Sequence, residues 1–509
     1  MLPFIKRHAD KILGVISCFD RILVTGTFPQ ICHAKAMASH LTSEDVRLFD
    51  YPLWAEPLRE LIRANAEKMA AAQGVTIEFI SRSKEQRKEN IIRDVLASRG
   101  EQPGLVHILS AMESCPSFRP WHDKTTGRTF LKPKDGRCLH YYFYFIDAEL
   151  GLCFLRVPTW APFRLQFYCN GHNILARQLE QAGIAYTMSD NAFSDIADFP
   201  AAQRLADRLK GEDLHRKFDY YAGIFCPVFD RFTAGCHWSM TQTEYSTDIV
   251  FRDAAALEPI YKQIVYTAIH AVKAGDIATF LGRRITRNFE GEVGNDFHTR
   301  IEGTRIRHHF GRSAIKMYDK RGHILRIETT TNDVSIFRHY RKVEHRDGSS
   351  EMKMAPMAKT IYSIGALREA LAAANRRYID FIGAIDDNTP GQDRLEKIAQ
   401  PVRQDDRSWR GFNFFLPSDL DLFAAIMRPE FAIGGFTNHA LQVFLQGKTC
   451  SQVGRMLQRL RTHHLIKKSV NSYKYHLTSL GRLVIASGLK LRELIIIPSL
   501  AQPVVISGS

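Results

Sequence analysis

From Phe431 to Arg492 the sequence contains no aspartate and no glutamate, yet Lys448, Arg455, Arg459, Arg461, Lys467, Lys468, Lys474, Arg482, Lys490 and Arg492 all fall within that stretch. A face that merely docked on the rest of the chain would not need to exclude every carboxylate, so the absence points to a polyanionic partner. Other absences close off whole chemistries. No GxxxxGK[ST] phosphate loop, no GxGxxG after a strand, no HExxH and no zinc-ligand spacing occur, which leaves ATP-driven work by this chain without support. The nine cysteines (Cys18, Cys32, Cys115, Cys138, Cys153, Cys169, Cys226, Cys236 and Cys450) form no CxxC pair. An odd number dispersed among apolar neighbours reads as reduced, mostly buried thiols in a cytoplasmic protein. No uncharged stretch reaches the ~18 residues needed to span a bilayer. The apolar run Ile12 to Phe19 ends in Asp20-Arg21 without a small-residue cleavage site, so neither a transmembrane helix nor a signal peptide is expected. Repeats and low-complexity tracts are missing as well.

What is present is a 509-residue chain of ordinary globular composition, 45% hydrophobic and 24% charged, with a formal charge of +15 and a pI near 9.4. That length predicts about three or four domains, and that charge favours nucleic acid over a membrane surface as the partner. Alternating strand and helix signals over residues 1–200 predict an α/β domain with some parallel pairing. Within it, Cys138 to Ile146 and Leu152 to Val157 read as an aromatic hairpin. Packing in the core suits it better than stacking bases, because only Lys132, Lys134, Arg137 and Arg156 accompany the rings. A helical connector is expected over 201–281, a basic antiparallel β region over 282–345, and a helical segment with a linker at Asp386 to Gly391 over 346–415. The fold class expected is thus α/β multidomain, α+β overall.

Residues 416–509 complete the chain. Here Thr437 to Leu445 reads as a short helix, Gly447-Lys448 as a turn and Thr449 to Arg461 as a second helix opened by a Thr449/Gln452 capping box. Val453, Leu457 and Leu460 make its apolar stripe, which leaves Gln452, Arg455, Gln458 and Arg459 to face outward. Two strands follow, at Leu465 to Lys468 and Tyr473 to Leu477, and then a helix capped by Thr478. In the pattern Ser451-Gln-Val-Gly-Arg-Met-Leu-Gln-Arg-Leu-Arg, then Leu465-Ile466-Lys467-Lys468, Tyr473 and Leu477-Thr478-Ser479-Leu480-Gly481, the segment resembles the MarR-like winged-helix DNA-binding domains. The resemblance implies that Gln452, Arg455, Gln458 and Arg459 enter the major groove while Lys467, Lys468 and Lys474 touch phosphate from the wing.

The second informative stretch runs from Thr304 to Thr330 and punctuates itself at Gly311 and Gly322. Three short antiparallel strands are expected, with Ile306, Ile315, Met317, Leu325 and Ile327 on the buried face. Arg305, Arg307, His309, Lys316, Tyr318, Arg326 and Glu328 then share the opposite face, a surface suited to a phosphodiester backbone. A tyrosine attacking phosphorus there needs its hydroxyl deprotonated and the developing charge neutralised, tasks within reach of Lys316, Arg326 or a carboxylate-held Mg²⁺ or Mn²⁺. Tyr318-Asp319-Lys320 followed by Arg326-Ile327-Glu328 is similar to a pattern in plasmid rolling-circle replication initiators, whose resemblance implies tyrosine-mediated nicking with Tyr318, Glu328 and Lys316 as the catalytic set. The His-hydrophobic-His pair of many such nickases is missing, since His308 and His309 are adjacent and on a strand point to opposite faces. The alternative is a binding sheet in which Tyr318 packs and Glu328 pairs with Lys316 or Arg326.

A different catalytic reading uses carboxylates alone. Asp20, Glu113, Asp190 and Glu244/Asp248 lie within or at the ends of apolar strands, where an RNase H-like two-metal site collects its acids, although each also suits a turn or a cap. The sequence as a whole resembles an uncharacterised bacterial family of mobile-element or plasmid type, which implies strand nicking or transposition. Two alternatives stand beside that expectation. One is a non-catalytic winged-helix regulator, and the other is an RNA-binding component of a ribonucleoprotein, with RNA rather than DNA as the partner.

Overall fold

The computed structural model describes residues 1–81, 87–283, 292–300, 303–345, 347–386, 395–469, 472–497 and 500. The protein is α+β and multidomain, with two compact units, Met1–Asp386 and Asp387–Ser509. The boundary falls at the start of the linker expected from the sequence, and residues 387–391 of that linker lie outside the described residues.

The first unit is organised by one sheet. In chain order its strands and those of a small satellite hairpin are β1 (Ile12–Thr27), β2 (Ile77–Phe79), β3 (Gly104–Asp123), β4 (Arg128–Asp147), β5 (Gly151–Pro158), β6 (Leu165–Cys169), β7 (Tyr186–Ser189), β8 (Ala192–Ile196), β9 (His237–Phe251), β10 (Val293–Arg300), β11 (Gly303–Phe310), β12 (Ser313–Lys320) and β13 (Ile324–Thr331). Eleven of them form the sheet, in the order β10-β11-β12-β13-β9-β1-β6-β5-β4-β3-β2, with β7 and β8 paired separately. Among the described residues only β2 with β3 pairs in parallel, over three residues. The parallel character expected from alternating strands and helices is therefore confined to one edge. Long antiparallel partners such as β1 with β9 and β3 with β4 dominate instead. The segments expected as separate regions at 1–200 and 282–345 fold together, because β9 hydrogen-bonds to β1 on one side and to β13 on the other.

Both faces of the sheet are covered, as its aromatic and β-branched strands require. On one face lies the main core, where Leu58 and Ile62 of helix Tyr51–Gln73, Phe218 of helix Gly211–Phe225, Ile264 of helix Ala254–Ala271 and Leu371 of helix Ile364–Asp386 meet Phe143, Phe167, Ile249, Ile315 and Ile327. The opposite face carries two smaller covers. Helix Lys88–Arg99 packs on Val106, Leu109, Tyr142 and Tyr144, while helices Gly171–Gln181 and Phe199–Ala206 with the β7–β8 hairpin pack on Ile16, Val250 and Ile324. Tyr141 to Phe145 are all buried, so this half of the aromatic hairpin is core. Gly311 and Gly322 sit at φ of 56° and 79° in the turns that separate β11, β12 and β13, a conformation costly for a residue with a Cβ.

In the second unit, helix Pro417–Ile426 is followed by the short helices Phe431–Gly434 and Asn438–Gln442, helix Cys450–Thr462, an antiparallel pair Ile466–Lys468 with Tyr475–Leu477, and helix Ser479–Leu491. The capping box is formed: Thr449 Oγ1 accepts from Gln452 N at 3.3 Å and Gln452 Oε1 accepts from Thr449 N at 2.7 Å. Val453, Leu457 and Leu460 are fully buried against Leu422, Phe423, Phe436 and Ile485. Thr478 caps the last helix, accepting from Gly481 N.

Candidate metal centre and its charge network

On the second face of the sheet, between the two smaller covers, polar side chains from four neighbouring strands converge. Register explains the convergence. Across β12, β13 and β9, Lys316 stands opposite Glu328 and Glu328 opposite Ser246, while Tyr318 stands opposite Arg326 and Arg326 opposite Asp248. With a side-chain period of two, Glu244, Ser246 and Asp248 share this face with Arg326, Glu328, Lys316 and Tyr318. Glu244 and Asp248 are thus brought to one face by a strand, not by the helix that an i, i+4 spacing also allows. Strand β1 supplies Asp20 through an irregularity: its register with β9 shifts between Phe19/Tyr245 and Arg21/Glu244, which leaves Asp20 as the extra residue of a bulge. Bulges re-aim side chains in this way. As a result Asp20, Glu244 and Glu328 bring carboxylate oxygens within 4.8 Å of one another.

Each acid has cationic or hydrogen-bonding company. The Lys316 ammonium donates to Glu328 Oε1 at 2.5 Å and lies 3.7 Å from Glu244 Oε1, and the Tyr318 hydroxyl donates to Glu328 Oε2 at 2.9 Å. Arg326, fully buried, donates from Nε and Nη2 to the two oxygens of Asp248, each at 2.6 Å, and from Nη2 to the carbonyl of Asn191 at 2.5 Å. Its Nη1 lies 3.6 Å from Asp20 Oδ1. His172, one residue into the helix that Asn170 caps, places Nδ1 3.2 Å from Asp20 Oδ1 and Nε2 3.1 Å from Arg326 Nη2. Asn191, in the β7–β8 turn, donates to Asp20 and accepts from Lys320.

The electrostatics follow from this crowding. Burial alone would raise Asp20, but His172, Arg326 and Lys320 outweigh it and hold the carboxyl well below the usual range. Asp248 is likewise held down, with Arg326 overcoming its burial. Glu244 behaves oppositely: burial and the neighbouring Glu328 push it up to about 7 against the pull of Lys316 and Arg21. Lys320 is pushed down to about 8 by burial and by Arg326. Burial and the adjacent Glu328 raise the Tyr318 phenol well above its ordinary value.

The structure unites residues that the sequence assigned to two separate readings. Asp20, Glu244 and Asp248 from the acidic set join Lys316, Tyr318 and Glu328 from the tyrosine set, and Glu328 does pair with Lys316. Glu113 does not join them. It is held by Lys88 at 3.1 Å, Arg156 at 3.0 Å and the Tyr142 hydroxyl at 2.6 Å, beneath helix Lys88–Arg99. Asp190 also stays outside, exposed in the turn beside Asn191 and paired with Arg321 at 2.6 Å. As a nucleophile Tyr318 is disfavoured twice over, since its hydroxyl already serves as donor to a carboxylate and its ionisation is opposed by that same charge. His172, Asn191 and Lys320 had not been assigned to the site. Only the charged Asp20-Arg21 step at the end of an apolar run marked the place, and nothing local marks His172 or Asn191.

Among the cations expected to contact phosphate or bases, two are corrected. Arg326 has no exposed surface and belongs to the Asp248 pair. Arg459 is 7% exposed, donating from Nη1 and Nη2 to Asp419 at 2.7 and 2.9 Å, from Nε to the carbonyl of Arg410 and from Nη2 to that of Gly411. The patterning argument failed at Arg459 because Asp419 lies upstream of the carboxylate-free stretch. Arg455, Lys467, Lys468 and Lys474 are exposed, Gln452 and Gln458 half-buried, and Arg305 and Arg307 half-buried on β11. His308 and His309 point to opposite faces as expected: His308 meets Asn295 Oδ1 at 2.6 Å and the Tyr378 hydroxyl at 3.0 Å, while His309 lies 3.3 Å from Asp296.

All nine cysteines are free, seven of them buried. Among the described residues no helix is long and apolar enough to cross a membrane. No family model matches the chain, and no curated protein matches it. Among solved structures, the di-domain ARO/CYC BexL from the BE-7585A biosynthetic pathway aligns with a TM-score of 0.13 at 9% identity, over 54% of this chain and 97% of that one. At that score it carries no argument about fold or function.

Proposed function

We propose that the protein binds nucleic acid, DNA foremost, and that its first unit cuts or transfers phosphodiesters at a divalent-cation centre formed by Asp20, Glu244 and Glu328. The observation that carries this reading is the convergence of three carboxylates from β1, β9 and β13, with oxygens within 4.8 Å, through the bulge that re-aims Asp20. Hard oxygen donors of this kind suit Mg²⁺ or Mn²⁺. A bound ion supplies a polarised phosphoryl oxygen and an activated water, which the raised Tyr318 phenol does not. Glu244, which burial and Glu328 push up to about 7, is the acid whose charged form gains most from a cation. Lys316, which holds Glu328, would be released towards a substrate phosphate if a cation took over that carboxylate.

The second unit supports the reading of a winged helix that anchors the duplex, because a short helix, a turn, a longer helix and a two-stranded hairpin follow in that order. With Arg459 withdrawn, Arg455 and the half-exposed Gln452 and Gln458 remain for bases, and Lys467, Lys468 and Lys474 for phosphates. Such a pairing of an anchor with a strand-cutting unit fits a mobile-element or plasmid protein.

The test is relaxation of supercoiled plasmid in Mg²⁺ or Mn²⁺. Asp20→Asn and Glu244→Gln should abolish it while duplex binding persists, whereas Tyr318→Phe should leave most of it. Relaxation that survives both acid substitutions would remove the centre. A second reading is favoured by one observation: every acid of the cluster already has a cationic neighbour, as a purely structural ion network would arrange. On that reading the protein is a non-catalytic regulator, and divalent cations leave its melting temperature unchanged. If a defined transcript copurifies in place of DNA, the partner is RNA.

A further inference from the structure

Strands β3 and β4 run on as a two-stranded ribbon beyond their buried aromatic half. Its register pairs Ser117 with Lys134, Arg119 with Lys132, Trp121 with Phe130 and Asp123 with Arg128. All of these alternate onto one face, and Phe118 and Leu131, both buried in the main core, onto the other. The first face is chemically one-sided. It presents Arg119, Arg128, Lys132 and Lys134, none with a carboxylate within ion-pair distance among the described residues, together with Trp121 at 41% and Phe130 at 38% exposure. Its one acid, Asp123, is turned into the tip, accepting from Thr125 N at 2.9 Å and the Thr126 hydroxyl at 2.8 Å. The Lys132 ammonium stands 3.8 Å from the centre of the Trp121 ring and the Arg119 guanidinium 5.4 Å, so the cations are held at the rings and not scattered over solvent.

We infer that this face of the β3–β4 ribbon is a binding surface for single-stranded polynucleotide, with unpaired bases stacking on Trp121 and Phe130 and Arg119, Arg128, Lys132 and Lys134 following the phosphates. Exposed aromatic rings interleaved with unpaired cations are what a sequence-tolerant single-strand platform needs. A duplex is the poorer occupant, because base edges in the major groove are read by amide, hydroxyl and guanidinium groups, and its stacked bases offer no ring faces. A bilayer is poorer still: the tip, Asp123-Lys124-Thr125-Thr126, is polar and would have to enter ahead of the rings. The inference rests on the nucleic-acid reading of the chain but not on its cation centre, and it gives a strand-cutting protein a place to hold the opened strand.

The experiment measures binding of the full chain, in dilute salt, to a labelled oligothymidylate of about fifteen nucleotides, to a duplex of equal length, and to phosphatidylserine/phosphatidylcholine vesicles. Trp121→Ala/Phe130→Ala should bind the single strand about ten-fold more weakly or worse, with duplex binding unchanged. Lys132→Gln should lower the slope of log affinity against log salt by about 0.7 for the single strand. Trp121 and Phe130 are exposed and Lys132 is half-buried, and an unchanged melting curve checks that both variants fold. Single-strand binding untouched by the double variant overturns the inference, as does an equal loss for duplex or a loss seen only with vesicles. Retained oligothymidylate binding in a protein that never relaxes plasmid would instead remove the cation centre and leave the ribbon standing.

Discussion

Two arginines that occupy outward-facing positions in their own elements, Arg326 in β13 and Arg459 in helix Cys450–Thr462, end in the same kind of place. Each is buried, and each makes a two-pronged pair with an aspartate distant in sequence, Asp248 in one case and Asp419 in the other. Their neighbours differ. Around Arg326 the cations Lys316 and Lys320 are also drawn inward, towards Glu328 and Asn191. Around Arg459 the cations Arg455, Arg461, Lys467 and Lys468 stay exposed. The lesson is that local charge composition describes a surface only where no tertiary carboxylate intrudes. In the first unit three acids, Asp20, Glu244 and Asp248, intrude and the basic face becomes an internal network. In the second, one acid intrudes, takes one arginine, and leaves the rest of the cationic surface open.

The largest effects fall on the two buried pairs. Arg326→Ala strips Asp248 of both guanidinium hydrogen bonds and leaves it only His172, 3.8 Å away, so it should destabilise the first unit by about 3 kcal/mol, read by chemical denaturation. Should it cost under about 1 kcal/mol, Asp248 is solvated and the network is looser than its distances imply. Asp419→Ala does the corresponding thing to Arg459 and should cost the second unit a similar amount, about 3 kcal/mol, since two carbonyls still accept from the guanidinium. Replacing both partners with apolar residues of similar volume should restore much of either loss.

How much of this was legible beforehand depends on whether the cause was local. The capping box at Thr449, the buried stripe Val453, Leu457 and Leu460, and the two faces of β11 to β13 follow from periodicity and neighbouring side chains alone, and the sequence could be read for them. That Asp20 joins Glu244 and Glu328 depends on a sheet order in which β1 inserts between β9 and β6, and no pattern within any one strand encodes that. His172 and Asn191 reach the site from a helix start and a turn whose own sequences ask only for a cap and a tight bend. Parallel pairing was expected from alternation of strands and helices, but several of those helices cover the sheet without connecting parallel neighbours. Long-range pairing is where sequence patterns stop being informative.

Glu244 sharpens the comparison through pH. Its folded value near 7 lies above an ordinary carboxyl, so protonation is favoured in the folded state. The stability this confers is fully present below the unfolded value of about 4.3 and is lost as pH rises through about 7, in total on the order of 4 kcal/mol. Glu244→Gln should flatten that part of the pH profile and stabilise the first unit at pH 8. If Mg²⁺ or Mn²⁺ binds, it should raise the melting temperature of the wild type more at pH 8 than at pH 6, and of Glu244→Gln at neither. An identical cation response in the two proteins would place the ion elsewhere.

The smallest effects test the open surface of the second unit, where substitution should alter binding and not folding. Arg455 and Lys468 are both exposed and, with no carboxylate bound to either among the described residues, both should change stability by less than about 0.5 kcal/mol when replaced by alanine. Their roles in binding separate them. On a recognition helix Arg455 has bases within reach, so Arg455→Ala should cost about 1–3 kcal/mol on a preferred duplex and less on a random one. On a wing Lys468 meets only phosphate, so Lys468→Ala should weaken every duplex alike and reduce the salt slope by about 1. Arg459→Ala supplies the contrast: its loss should appear as destabilisation, with no separate change in sequence preference in whatever fraction stays folded. If Arg455→Ala instead weakens all duplexes equally, the helix touches backbone only, and the second unit holds DNA without choosing its sequence.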